Sequence, residues 1–63
     1  MKTTISNSSM ISAIEWENEV LTITWKSGKT TDYQGVPESE YHAFVNAESV
    51  GKHYHGVFKQ KYA

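Results

Sequence analysis

The sequence predicts an α+β domain: a three-stranded antiparallel β-meander followed by two short α-helices packed on one face of it. Three observations predict this. Apolar residues alternate with polar ones through the first half of the chain, then recur at three- and four-residue spacings in the second half. Strands grouped ahead of helices belong to α+β architectures rather than to parallel α/β sheets. Finally, 63 residues make one domain. A core of that size supplies no more than roughly 3–5 kcal/mol, so neither a cleft between two lobes nor a large enclosed pocket is expected.

Residues 1–9 are polar, contain Ser6-Asn7-Ser8-Ser9, and read as an N-terminal arm or short edge strand anchored by Ile5. The domain proper is assigned to residues 10–63. Its first strand runs near 10–16, with Met10, Ser12, Ile14 and Trp16 on one face and Ile11, Ala13 and Glu15 on the other. Glu17-Asn18-Glu19 has the length of a three-residue hairpin loop. Residues 20–26 alternate cleanly: Leu21, Ile23 and Trp25 point to the core, and Val20, Thr22 and Thr24 point away. Ser27-Gly28 is a tight turn, because glycine takes positive φ without a Cβ clash. Residues 29–34 are polar on both faces, as an edge strand should be.

Gly35-Val36-Pro37 ends the sheet. Proline suits the first turn of a helix, where its missing N–H is no loss, and Glu38 and Glu40 follow where the macrodipole favours acids. Tyr41, Phe44 and Val45 make one apolar stripe, so a helix is expected over about 37–47. Ser49 is a candidate N-cap for a second helix, over 49–57, with Val50, Tyr54, Val57 and Phe58 as its core face. Gly51 and Gly56 each weaken that helix by about 0.5–1 kcal/mol relative to alanine. Residues 59–63 form a polar tail anchored by Tyr62.

Composition excludes several functions. There is no cysteine, hence no disulfide framework, thiol nucleophile or thiolate zinc site. The longest purely apolar run, Ala43-Phe44-Val45, is too short to span a membrane, and no apolar segment follows the first residues as a signal peptide requires. The expected compartment is the cytoplasm, and no membrane partner is expected. His53 and His55 stand two apart, which does not bring them together on a helix, and no acid accompanies them, so no metal site is assigned. Ser49 and His53 can meet across a helical turn, but a nucleophile also needs an orienting acid and an oxyanion hole. No catalytic residues, cofactor or enzymatic activity are assigned.

Charge is unevenly distributed. Residues 1–48 hold three lysines and seven acids, for −4, whereas residues 49–63 hold Lys52, Lys59 and Lys61 and no acid, for +3. His53 and His55 interleave with these lysines. One reading is a solvated face with lysines near a helix C-terminus, where the dipole favours them. The other is a basic strip that meets an anion. Trp16, Trp25, Tyr33 and Tyr54 are the aromatics able to form a stacking platform beside it, or else the core of a small domain that needs its apolar area.

The ordered set Ser12-Ala13-Ile14 with Trp16, the hairpin Leu21-Thr22-Ile23-Thr24-Trp25, Ser27-Gly28, Tyr33-Gln34-Gly35-Val36-Pro37, Tyr41, Ala47-Glu48-Ser49-Val50-Gly51-Lys52-His53-Tyr54 and Lys59-Gln60-Lys61-Tyr62 resembles the KTSC domain family. The family occurs at the C-terminus of some lysyl-tRNA synthetases and as free-standing bacterial and phage proteins. Its central Tyr-x-Tyr reads Thr31-Asp32-Tyr33 here, and the chain has no arginine. RNA binding has been suggested for the family. The resemblance therefore implies a small non-enzymatic binding module for RNA or a nucleotide-like anion. Its expected ligand-binding residues are Tyr33, Lys52, His53, Tyr54, His55, Lys59 and Lys61. The alternative is an accessory or phage-type module that binds a host protein through Glu15, Glu17 and Glu19 at the hairpin tip. A two-fold homodimer is expected from the small core and the uncovered sheet face.

Overall fold

Four strands, not three, form the sheet in the computed structural model, which describes residues 1–62; Ala63, the last residue assigned above to the domain, lies outside the described residues. The strands β1 (Lys2–Thr4), β2 (Ile11–Glu17), β3 (Val20–Trp25) and β4 (Thr30–Tyr33) pair antiparallel in sequence order. Helix α1 (Glu38–Val45) follows. Then α2 (Val50–His53), a π-helical stretch (Tyr54–Phe58) and α3 (Lys59–Tyr62) run on without a break. The helices cover the face that carries Leu21 and Ile23, as expected.

The extra strand lies in the arm. Thr3 pairs with Ile14 and Thr4 with Ala13, and Ile5 is buried beyond them. An edge strand needs few apolar residues and tolerates Lys and Thr, so its polar composition hid it. The Thr3 hydroxyl shares a 2.6 Å hydrogen bond with the Tyr41 hydroxyl, which ties this edge to α1.

Strand β2 departs from simple alternation. Ile11 pairs with Trp25, but Ala13 already pairs with Thr24, so two steps on β2 oppose one on β3. This β-bulge absorbs one residue. Ile11 and Ile14, an odd number apart, are thereby both fully buried on the same face, contrary to the expected split. The following hairpin has a two-residue loop rather than three. Glu17 pairs with Val20, and Asn18 and Glu19 take φ of 49° and 65°. Consecutive positive φ values match the twist of the flanking strands. The Val36 N–H donates to the Glu19 carbonyl at 2.9 Å, so the strained turn also holds the segment leading into α1.

Pro37 stands at the N-cap, one position ahead of the expected site, with φ −67° and ψ 155°. The Trp16 indole N–H donates to the Val36 carbonyl at 2.7 Å and pins this loop to the sheet. Ser49 caps α2 as expected, its hydroxyl oxygen accepting from the Lys52 N–H at 3.3 Å. The second helix continues to Tyr62 instead of ending near 57, so the expected polar tail is helical. Inside it the Lys59 N–H donates to the Tyr54 carbonyl, five residues back. This wide turn keeps Val50, Tyr54 and Phe58 on the core face and leaves Val57 exposed, against the expected α-helical stripe. Tyr62 packs on Phe58 with ring centroids 4.7 Å apart. Among the described residues no helix is long and apolar enough to cross a membrane.

The core comprises Ile5, Ile11, Ile14, Leu21, Ile23, Val36, Tyr41, Phe44, Val50, Tyr54 and Phe58. Phe44 is completely buried. Replacing it with alanine removes its aromatic contacts and opens a cavity, at about 3–5 kcal/mol, comparable with the whole stability expected at this size. Circular dichroism should show Phe44→Ala largely unfolded at room temperature. Glu19→Gly, by contrast, relieves the left-handed backbone and creates an Asn-Gly turn. It should raise the urea midpoint by the equivalent of about 0.5–1 kcal/mol.

Candidate functional site

The basic strip does not survive folding as one surface. Lys61 reaches across to α1, where its Nζ donates to Glu40 Oε1 at 2.6 Å. That hydrogen bond to the carboxylate raises the Lys61 pKa above its ordinary value. His53 is half-buried with its ring against Phe44, centroids 5.1 Å apart, and its Nε2 is enclosed without a hydrogen-bond partner. Lys52, His55 and Lys59 are exposed, and neither lysine forms an ion pair with any described residue. The strip reduces to these three. Ser49 and His53 meet only through the backbone, His53 N–H to Ser49 carbonyl at 2.9 Å.

The aromatic half of the expected site belongs to the core. Tyr54 is buried, with Trp25 edge-on at 5.1 Å and the rings of Phe44 and Phe58 stacked at 6.4 and 6.3 Å. It offers no open face to a base. Tyr33 packs edge-on against Phe58 at 4.9 Å, and its hydroxyl shares a 2.9 Å hydrogen bond with that of Tyr54. Trp16 and Trp25 are half-buried against the same cluster, their indole N–H groups donating to the Val36 carbonyl and the Thr31 hydroxyl.

Lys52 and His55 instead border a groove of about 570 Å³. One wall is the loop Asn7-Ser8-Ser9-Met10. The other is the helix face carrying Ser49, Gly51, Lys52, His55 and Gly56. The loop is held by Ser8, whose hydroxyl oxygen accepts from the Met10 and Ile11 N–H groups at 3.2 and 3.1 Å. Sequence reasoning found Lys52 and His55 here but missed the loop and the two glycines. The available signals were the Ser-Asn-Ser-Ser run and two glycines in one helical pattern. No group of three or more metal-ligating side chains occurs among the described residues.

The acids expected at the hairpin tip separate as well. Glu15 and Glu17 lie on the uncovered sheet face and, with Asn18, Val20 and Thr22, line a shallow hollow of about 340 Å³. Glu19 belongs to the strained turn.

The KTSC domain model matches residues 7–62. The chain belongs to the KTSC domain family. The crystal structure of a KTSC domain protein from Yersinia pestis superposes with a TM-score of 0.87 at 34% identity, covering 100% of this chain and 90% of that one. An uncharacterised protein of Stutzerimonas stutzeri (strain A1501) is 33% identical over 46 residues, which is 73% of this chain and 65% of that relative's length. The match thus spans just under two thirds of the relative. The family match begins at Asn7 and so takes in the groove-lining loop.

Within this KTSC domain the Tyr33–Tyr54 contact has a titration signature. Partial burial, with the Tyr54 hydroxyl beside it, pushes the Tyr33 phenol up from 10.0 to about 12. The unfolded chain then loses this proton first as pH rises. The contribution is complete below pH 10 and declines between 10 and about 12. Urea midpoints measured at intervals from pH 9 to 12 should fall more steeply for the wild type than for Tyr33→Phe.

Proposed function

We propose that this KTSC domain is a non-catalytic binding module for a phosphate-bearing ligand, taken up from single-stranded RNA or a nucleotide along the face of Lys52, His55 and Lys59. The observation that carries the reading is the position of Lys52 and His55 at the border of a groove, free of the carboxylates that engage His42 and Lys61. His42 lies 3.0 Å from Glu38, and Lys61 is held by Glu40. The cations left over can exchange water and counterions for a phosphate without breaking an ion pair. Buried aromatics supply no stacking here, so charge and the groove itself carry recognition.

The expected test is titration of a single-stranded RNA oligonucleotide at low and high salt. Lys52→Gln with Lys59→Gln should abolish binding without unfolding the chain, since exposed substitutions usually change stability by less than about 0.5 kcal/mol. Lys61→Gln should bind as the wild type does. The log–log salt dependence should be near about −0.7 for each phosphate neutralised, so about −1.4 for Lys52 and Lys59 together. An unaltered affinity in the double lysine variant would overturn the reading and return attention to a protein partner on the acidic sheet face.

A further inference from the structure

Strand β4 ends the sheet order on one side, and its pairing with β3 is unbroken from Thr30 to Tyr33. The Trp25 N–H donates to the Lys29 carbonyl at 2.8 Å, so Lys29 turns its backbone toward β3. Inward and outward backbone groups alternate along an antiparallel strand. Thr31 and Tyr33 therefore also face β3, and Thr30 and Asp32 point their N–H and C=O groups away from it. No backbone group of any described residue meets those of Thr30 and Asp32.

The two edges of the sheet are not alike. Short length, lysine, proline and bulges are the usual guards against edge pairing. Strand β1 carries two of them, being 3 residues long and beginning at Lys2. Strand β4 has no proline, lysine or bulge. Its one charge is Asp32, whose carboxylate accepts from the Thr22 hydroxyl across the strand pair at 2.8 Å.

We propose that β4 pairs antiparallel with β4 of a second copy, about a two-fold axis at Thr31, joining two four-stranded sheets into one. The expected homodimer contact then lies at the sheet edge rather than on the uncovered face. Such an axis keeps the helices of both copies on one side, so only residues of like face pair. With Thr30 on Thr30, Asp32 lies against Gly28 and the pairing runs off the strand into the turn. With Asp32 on Asp32, like charges stand directly opposite, which is destabilising. With Thr31 on Thr31, each Thr30 meets Asp32 of the other copy. That pair exchanges its outward backbone bonds, and the Thr30 hydroxyl faces the carboxylate as Thr22 does from within the sheet. The two Asp32 side chains are only diagonal neighbours, about 7–8 Å apart. On the covered face the exposed Lys29 comes opposite the half-buried Tyr33 of the other copy, a cation beside an aromatic ring.

Sedimentation equilibrium of the full chain tests this. One strand pair is a small interface, so a monomer–dimer equilibrium with a dissociation constant on the order of 100 µM is expected. Thr30→Pro removes an N–H that β3 does not use, at the first residue of the strand, where proline is tolerated. It should keep the wild-type circular dichroism and weaken association at least about tenfold. The chain has no cysteine, so single cysteines report the register. Residues facing each other on the axis have Cα atoms about 4.5 Å apart, within disulfide reach, whereas diagonal ones at about 7–8 Å lie beyond it. Under mild oxidation Thr31→Cys should give a covalent dimer, and Thr30→Cys and Asp32→Cys should not. A wild type that stays monomeric to about 1 mM, association in a folded Thr30→Pro as strong as in the wild type, or cross-linking at 30 or 32 in place of 31 would overturn the proposal. Growth beyond the dimer would overturn it too, in favour of β1–β4 pairing in an open chain of copies. If Thr30→Pro does not fold, the cysteine pattern alone decides.

Discussion

Phe44 sits where α1, the second helical run and the sheet meet. The ring of Phe58 lies 4.9 Å away, and those of His53 and Tyr54 lie at 5.1 and 6.4 Å. A domain this small has few large side chains to bury, so these rings must all reach one place. Val50, Tyr54 and Phe58 are spaced by four and four, and an α-helix of 3.6 residues per turn would rotate them steadily off a common line. The π-helical stretch absorbs the surplus. Val57, which α-helical spacing assigns to the core, is displaced to solvent by the same wide turn. With that face committed, Gly51, Lys52, His55 and Gly56 fall together on the neighbouring one and face the Asn7–Met10 loop. The candidate site is in this sense a by-product of how the aromatic core is satisfied.

A second surplus residue is handled the same way in the sheet. The β2 bulge brings Ile11 into line with Ile14, Leu21 and Ile23. It also sets the direction of the preceding chain. Ser8 closes on the Met10 and Ile11 N–H groups just ahead of the bulge. The Lys26 N–H, from the β3–β4 turn, donates to the Met10 carbonyl at 2.8 Å. The loop that walls the groove is therefore held at Met10, whose N–H donates to the Ser8 hydroxyl and whose carbonyl accepts from the Lys26 N–H. It leads directly into a fully buried strand residue.

These two devices account for most of what was and was not legible in the sequence. The order of strands and helices, the Ser49 cap, the Ser27-Gly28 turn and the core roles of Leu21, Ile23, Tyr41 and Phe44 follow from period and local chemistry. Strand β1 was obscured because an edge strand carries little apolar signal. The bulge, the two-residue hairpin loop and the π turn each change register by one residue. Such a change is decided by tertiary packing against Phe44 and the Ile11–Ile14 face rather than by any local preference. The site was legible as a charge asymmetry and not as a place. Lys52 and His55 could be read from sequence because they lie in an acid-free stretch. Removing Lys61 from the strip required knowing that Glu40, twenty-one residues away, comes within 2.6 Å. Tyr54 left the candidate set for the related reason that its ring is needed inside.

A net charge of −1 looks unfavourable for a phosphate ligand, but net charge is a sum over surfaces that do not all act on the groove. Glu15, Glu17 and Asp32 occupy the uncovered sheet face, where Asp32 accepts from the Thr22 hydroxyl at 2.8 Å. The molecule extends 26 × 21 × 19 Å, while the screening length at 0.1 M salt is about 10 Å. Charges on the far side of the sheet are thus largely screened from an exposed anion beside Lys52. Nearer the helices, Glu40 is already paired with Lys61, and Glu38 lies against His42. The groove itself is lined by Lys52 and His55, with the hydroxyls of Ser8 and Ser49 adding donors and no charge, while the exposed Glu48 adjoins Ser49 in sequence. Folding places Lys52 on the lining of the groove, while Glu15, Glu17 and Asp32 stand on the uncovered sheet face.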